Sequence, residues 1–400
     1  MTRKTIGDLI EGRRIVVCVG SGGVGKTTTS AVLALHAAME GRKVLVLTID
    51  PARRLANSLG VSELDNDERQ IPLEQFAQIG VEPKGELWAM MLDMKRSFDR
   101  IVERNVKDPK AVERILNNKL YSYFSTSLAG TQEYSAMERL YELHRSGDYD
   151  LIVLDTPPTI HALDFLDAPS RMAEAVESSA LQWLYKPSVA AGKFGFGLFN
   201  IGTSYVLKTL SRFTGGEMLD ELRVFLKSLS PLFDGFGDRA RQIRAVLGSQ
   251  DALFFVVTSP DPITVDEARF FQNRLDDESI PFGGFIVNRV HAPYLPPDGL
   301  DEASSSELAD RMDAVQLDGL DAPPEPDELR ALGQRMIDNA TEFQILATLD
   351  AQTLRALRER AGSRVTIATV PFFSRDIHSF EGLNRVRQEL FALPGSTPNP

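Results

Sequence analysis

The segment GSGGVGKTTTS, Gly20–Ser30, restricts the fold more than any other stretch of the chain. It follows a short apolar run, RRIVVCVG (Arg13–Gly20), and opens a helical pattern, Lys26–Glu40. Gly20, Gly25, Lys26 and Thr27 occupy the fixed positions of G-x-x-x-x-G-K-[ST]. The chemistry explains the spacing. Glycines let the backbone turn so that successive N–H groups point at phosphate oxygens. Lys26 can then reach the β- and γ-phosphates, the Thr27 hydroxyl can ligate Mg²⁺, and the helix dipole favours the same negative charge. A strand–loop–helix unit of this kind needs a sheet to sit on.

The rest of the chain supplies one. KVLVLTID (Lys43–Asp50), LWAMMLD (Leu87–Asp93), DLIVLDT (Asp150–Thr156), ALFFVVTS (Ala252–Ser259), FGGFIVNRV (Phe282–Val290) and RVTIATVPF (Arg364–Phe372) are further apolar runs separated by longer helical patterns. Strands apolar on consecutive residues are buried on both faces. The expected fold is therefore α/β: a doubly wound, mostly parallel sheet with ligands at the carboxyl ends of the strands. Two segments break the alternation. Between Leu166 and Ala252 the pattern is helical and carries seven of the 22 phenylalanines, Phe194, Phe196, Phe199, Phe213, Phe225, Phe233 and Phe236. From Leu295 to about Pro326 it is rich in Pro, Asp and Ser; between Asp298 and Arg330 there are eleven acidic and two basic residues. The expected organisation is a discontinuous nucleotide domain, 1–165 and 251–400, a helical insert at 166–250, and an acidic loop at 295–326. No internal repeat interrupts this order.

The net charge of −12 argues against nucleic acid as a partner. One cysteine, Cys18, allows neither an internal disulfide nor a Cys-only metal site, and the five histidines have no ligand-like spacing. MTRKTIGDLIEGRR lacks the apolar region of a signal peptide, and no run approaches the ~20 apolar residues of a membrane span. A cytoplasmic location is expected.

Two acids close apolar strands, Asp50 in LTIDPARRLA and Asp155 in IVLDTPPTIHALDFL. One carboxylate near Mg²⁺ and one orienting a water would suffice for hydrolysis; both residues also suit helix N-caps. At this point a resemblance becomes specific. GSGGVGKTT, TIDPARRLANSLG and DTPPTIHALDFL resemble the P-loop, switch I and switch II of the ArsA family of ATPases, over nearly the whole chain. The resemblance implies ATP and Mg²⁺ as cofactors, with Gly20, Ser21, Gly22, Gly23, Val24, Gly25, Lys26, Thr27 and Thr28 around the phosphates. It makes Asp50 and Lys26 catalytic, and Thr27 a metal ligand with Asp155 holding a Mg²⁺-bound water. It gives Asn288 and Pro371 to the adenine. An amide can donate to and accept from one base edge, although Asn288 also suits a strand-end turn.

Ser21 departs from the pattern. Most of the family has lysine there, which crosses a face-to-face dimer to the partner's nucleotide. Serine has neither the charge nor the reach, so three accounts stay open: a heterodimer with a lysine-bearing paralogue, a substitute charge from Arg53 or Arg54, or slow hydrolysis in a nucleotide-gated switch. The resemblance implies a homodimer or that heterodimer as the assembly. Arg53 and Arg54 equally suit a solvated helix face. For the insert, the resemblance implies an apolar groove for a hydrophobic helix or membrane-protein client; packing against the core accounts for the same phenylalanines. Glu133, in LAGTQEYSAMERL, falls near the dimer seam of relatives or on a plain surface helix. The cysteine clusters of arsenite pumps and the Cys-x-x-Cys zinc clamp of targeting ATPases are missing, so arsenite coupling and a zinc staple are not expected. A MinD- or ParA-like positioning ATPase would need a basic or amphipathic C-terminal helix, which ELFALPGSTPNP does not offer.

Overall fold

The computed structural model describes residues 4–50, 54–118, 131–156, 236–295 and 325–392, with the single positions 121, 174, 225, 227, 229 and 307. Arg53, most of the 166–250 insert and most of the acidic segment lie outside them.

Among the described residues eight strands form one sheet: β1 (Ile15–Val19), β2 (Lys43–Thr48), β3 (Arg69–Gln70), β4 (Glu86–Met91), β5 (Leu151–Asp155), β6 (Ala252–Thr258), β7 (Phe282–Val290) and β8 (Ile367–Pro371). Their order is β3-β4-β2-β5-β1-β6-β7-β8, parallel throughout except for β3, which pairs antiparallel with β4. All seven apolar runs are strands. The eighth, β3, is two exposed residues and has no apolar signature to read.

Every residue of β1, β5 and β6 is buried, as strands covered on both faces must be. The side chains of β1 alternate between two cores. Ile15, Val17 and Val19 face one helical layer; Val16 and Cys18 face the other. The first layer is built by α5 (Met94–Asn105), α6 (Pro109–Leu116), α7 (Thr131–Ser146), α8 (Phe236–Leu247), α9 (Pro262–Asp277) and α10 (Pro326–Ala361), through Phe98, Ile115, Met137, Ile243, Phe271 and Leu357. Phe225 and Leu229 join this core, 3% and 0% exposed. The second layer uses α1 (Ile6–Ile10), α2 (Lys26–Met39), α3 (Arg54–Ser58), α4 (Leu73–Gln78) and α11 (Phe380–Leu390), through Ile6, Leu33, Leu55, Phe76 and Leu383. Each fully buried aliphatic side chain contributes ~1.5–3 kcal/mol. The central strand positions therefore fix the register on which the loops at the strand ends depend.

Helix α2 is locked from outside by an aromatic stack. The His36 ring lies on Phe391, just past α11, with centroids 3.5 Å apart and planes 12° from parallel. Burial first, and the Arg387 charge second, push the His36 pKa down from 6.5 to about 4. The unfolded chain therefore takes up this proton before the folded one. The stability it contributes is complete above about pH 6.5 and is lost as pH falls from there towards 4. We expect His36→Phe, which keeps a flat ring in the stack, to lose less melting temperature than wild type between pH 7 and pH 4.5. Equal losses in the two proteins would remove His36 as the cause.

Candidate functional site

Seven of the eight strands point the same way, so their carboxyl ends gather the chemistry along one edge. The glycine loop leaves β1, Asp50 follows β2, Asp155 ends β5, and Asn288 and Pro371 lie at the ends of β7 and β8. These residues lie far apart in the sequence, and the structure brings them to one edge, where the strand pattern predicts a ligand.

Two loop glycines are required by geometry. Gly20 has φ +148°, and a Cβ there would meet the Val257 carbonyl oxygen at 2.1 Å. Gly25 has φ +98°, and its Cβ would meet Asn288 Nδ2 at 2.2 Å. The first clash is with backbone and has no rotamer to relieve it. Gly20→Ala is expected to lower stability by about 2 kcal/mol or more and to distort the loop. Gly23→Ala, where the added carbon meets nothing within 4 Å, should cost only the left-handed strain of ~1 kcal/mol. Thermal melts of the two variants test the contrast, and equal shifts would contradict it.

Gly25 is also the N-cap of α2, in the left-handed region and with no side-chain cap. The first intrahelical bond runs from Thr29 N–H to the Gly25 carbonyl at 2.9 Å. The N–H groups ahead of it, from Lys26 to Thr28, have no intrahelical acceptor, and the first turn carries no acidic residue. This end of the helix is built for an anion.

Lys26 is 6% exposed and bends over the loop, its Nζ donating to the carbonyls of Gly20 at 2.9 Å and Ser21 at 2.7 Å. Burial lowers its pKa, against the pull of Asp155 and Asp50. Asn288 ties the same loop from β7: Nδ2 donates to the Val24 carbonyl at 2.9 Å, and Oδ1 accepts from the Arg289 N–H at 3.0 Å. Its amide therefore holds loop backbone on one side and its own strand end on the other. Pro371 is the partner of Val290 across β7 and β8, and beyond it Phe372 stacks on His291 with centroids 4.9 Å apart.

Asp155 is the most confined acid of the site, fully buried. Its Oδ2 accepts from Thr27 Oγ1 at 2.7 Å and from Thr48 Oγ1 at 2.8 Å. Burial raises its pKa to about 6 despite those two hydroxyls and the Lys26 charge, with Asp50 raising it further. The other oxygen, Oδ1, is buried without a hydrogen-bond partner. An orphaned acceptor on an acid held at high cost, beside a threonine hydroxyl at an anion-binding helix end, fits a hydrated divalent cation with its phosphate. Among the described residues no group of three His, Cys, Asp or Glu side chains converges to hold a metal on protein ligands alone.

Asp50 is half-buried, and its N–H donates to Thr48 Oγ1 at 3.2 Å. Thr28 is half-buried in the first turn of α2, and Gly22 and Gly23 are exposed. Arg54 is exposed at the start of α3, its charge felt at Lys26. Glu133 falls on α7, its side chain outside the described residues. Two participants were missed by sequence reasoning. Thr48 stands two positions ahead of Asp50, a signal hidden inside an apolar run. Glu267, on α9, accepts from Ser21 Oγ across 246 positions of sequence, with no local signal at all.

Among the described residues no helix is long and apolar enough to cross a membrane. The family model described as "Anion-transporting ATPase" matches residues 13–297. An ATPase ASNA1 homolog from Cryptosporidium parvum is 26% identical over 318 residues, covering 80% of this chain and 75% of that protein. The ATPase get3 of Aspergillus terreus is 26% identical over 282 residues, covering 70% and 73% of the two chains. The ATPase GET3 of Podospora anserina is 27% identical over 276 residues, covering 68% and 72%. The match takes in the loop, both strand-end acids and Asn288, on a sheet of the architecture that the motifs require. The chain belongs to the ArsA-type, anion-transporting ATPase family.

Proposed function

We propose that this chain binds Mg·ATP at the glycine loop and hydrolyses it, using the cycle to rearrange a dimer and the helical insert at 166–250. The observation that carries the reading is the unpartnered, buried Oδ1 of Asp155 beside Thr27 and the open end of α2. Thr27 would hold the magnesium directly and Asp155 through a water. When bound, the cation neutralises phosphate charge as the γ-phosphoryl group departs.

The protein's own residues supply the rest. The amides of residues 22–28 cradle the phosphates, and Lys26 transfers its two hydrogen bonds from loop carbonyls to phosphate oxygens. Asp50, on the same strand end as Thr48, orients the attacking water. Asn288 and Pro371 border the base, with the Asn288 amide exchanging one of its present partners for the adenine edge. A cytoplasmic enzyme that moves a hydrophobic helix or membrane-protein client fits the sequence resemblance to the ArsA family and the phenylalanine-rich insert. Phe225 is already committed to the core, so the remaining aromatic residues would have to form any groove.

A second reading is favoured by Ser21. Bound in cis to Glu267 and uncharged, it leaves no cation at position 21 to offer a partner. The chain would then be an ATP-binding subunit of a heterodimer with a lysine-bearing paralogue, with little turnover of its own. Calorimetry of Mg·ATP binding, followed by turnover of the pure protein alone, separates these outcomes. Binding with fast turnover supports the homodimeric enzyme, and binding with turnover that needs the paralogue supports the second reading. No heat of binding from a folded sample would sink both.

A further inference from the structure

The residue at position 21 is tied to a part of the fold that the loop motif does not include. Helix α9 leaves β6, the neighbour of β1, and its second turn brings Glu267 to the loop. There Glu267 accepts a hydrogen bond from Ser21 Oγ. Val265, Ala268, Phe271 and Leu275 bury the opposite face of α9 and fix the helix to the sheet. Glu267 instead shares its face with Ile263 and Phe270, which are 71% and 60% exposed.

Three elements therefore hold the loop. Lys26 of α2 holds the Gly20 and Ser21 carbonyls, Asn288 of β7 holds the Val24 carbonyl, and Glu267 of α9 holds the Ser21 side chain. The exposed pair Gly22–Gly23, which has no side chains of its own, spans the interval between these ties. A carboxylate accepting from a hydroxyl makes a bond roughly twice as strong as a neutral one. Losing that tie returns conformational freedom to the glycines, which must be lost again when a ligand binds. The same carboxylate brings a negative charge close to an anion-binding loop. An acceptor that is neutral should therefore keep part of the benefit and remove the penalty.

We propose that Glu267 is a positioning residue for the nucleotide loop, and that the side chain at position 21 is held in cis by α9 rather than offered across a subunit seam. The role in nucleotide affinity rests on the ATP reading above; the tie itself does not. Two measurements on the full chain keep them apart.

The first is hydrogen exchange of the peptide containing Gly20–Lys26, without nucleotide. Ser21→Ala and Glu267→Ala should each speed exchange about tenfold, and the double variant no further, because both remove one bond. Glu267→Gln should fall between wild type and Glu267→Ala, since its amide oxygen still accepts, though in a weaker bond. The second is titration with a fluorescent ATP analogue and Mg²⁺. Glu267→Ala should bind about threefold to tenfold more weakly, and Glu267→Gln at least as tightly as wild type.

Unchanged exchange in Glu267→Ala, or additive effects in the double variant, overturns the proposal. So does tighter binding by Glu267→Ala equal to that of Glu267→Gln, which would leave only a repulsive field. If exchange follows the pattern but wild type binds no Mg·ATP, the tie stands and the ATP reading fails. One further arm uses turnover. A lysine introduced by Ser21→Lys would meet Glu267 in its own chain, so Ser21→Lys combined with Glu267→Gln should exceed Ser21→Lys alone. A double variant no faster than the single one would contradict capture in cis.

Discussion

Lys26→Ala is expected to reduce Mg·ATP turnover by about a thousandfold or more, the scale associated with removing a cation from a phosphoryl-transfer site. Nucleotide affinity should fall at least tenfold with it. The effect on folding should be small by comparison, for a reason visible in the site. Burial already holds the Lys26 ammonium below its ordinary pKa, so the charge is kept there at a cost. The change also removes the donors for the Gly20 and Ser21 carbonyls, which offsets part of the gain. The melting temperature of the variant should lie close to wild type, while Mg·ATP no longer raises it. Steady-state turnover and a melt with and without nucleotide read both quantities. Turnover within tenfold of wild type would remove Lys26 from the chemistry, and a collapse in stability would make it a structural residue.

Asp50→Asn should separate binding from chemistry. Asparagine has nearly the same shape, and the N–H that donates to Thr48 Oγ1 belongs to the backbone. The hydrogen bonds described above for the loop, Lys26 and Asp155 do not involve the Asp50 side chain. We expect Mg·ATP affinity within about threefold of wild type and turnover lower by about a thousandfold, because an amide cannot take the proton of an attacking water. Single-turnover measurement with excess protein checks this without interference from product release. Wild-type turnover would show that another group orients the water. The arrested protein is also the reagent with which to capture a paralogue and a client from the native cell, since it would hold ATP without release.

Much of this architecture was legible because buried parallel strands declare themselves. KVLVLTID and ALFFVVTS have no alternation to misread, and a strand, a glycine turn and a helix in that order admit few topologies. The acids were legible because each closes such a strand. What escaped depends on distance in sequence. Ser21 and Glu267 meet because β6 lies beside β1, and Thr48 meets Asp155 because β2 lies beside β5. Strand order sets both contacts, and no local pattern reports strand order. Asn288 was legible as a residue of this edge but not in its present bonding, which depends on Gly25 having no Cβ to intrude. The edge strand β3 was missed for the opposite reason: two residues carry no period.

The bonding around Thr48 joins what enzymologists treat as two parts. Its hydroxyl gives its hydrogen to Asp155 and takes one from the Asp50 peptide, while the same Asp155 oxygen receives Thr27. The Thr27 hydroxyl, the Asp155 carboxylate, the Thr48 hydroxyl and the Asp50 peptide thus form one continuous chain of three hydrogen bonds. A tilt of the Asp155 carboxylate is passed through Thr48 to the backbone that carries Asp50, so the loop and both strand ends are set together.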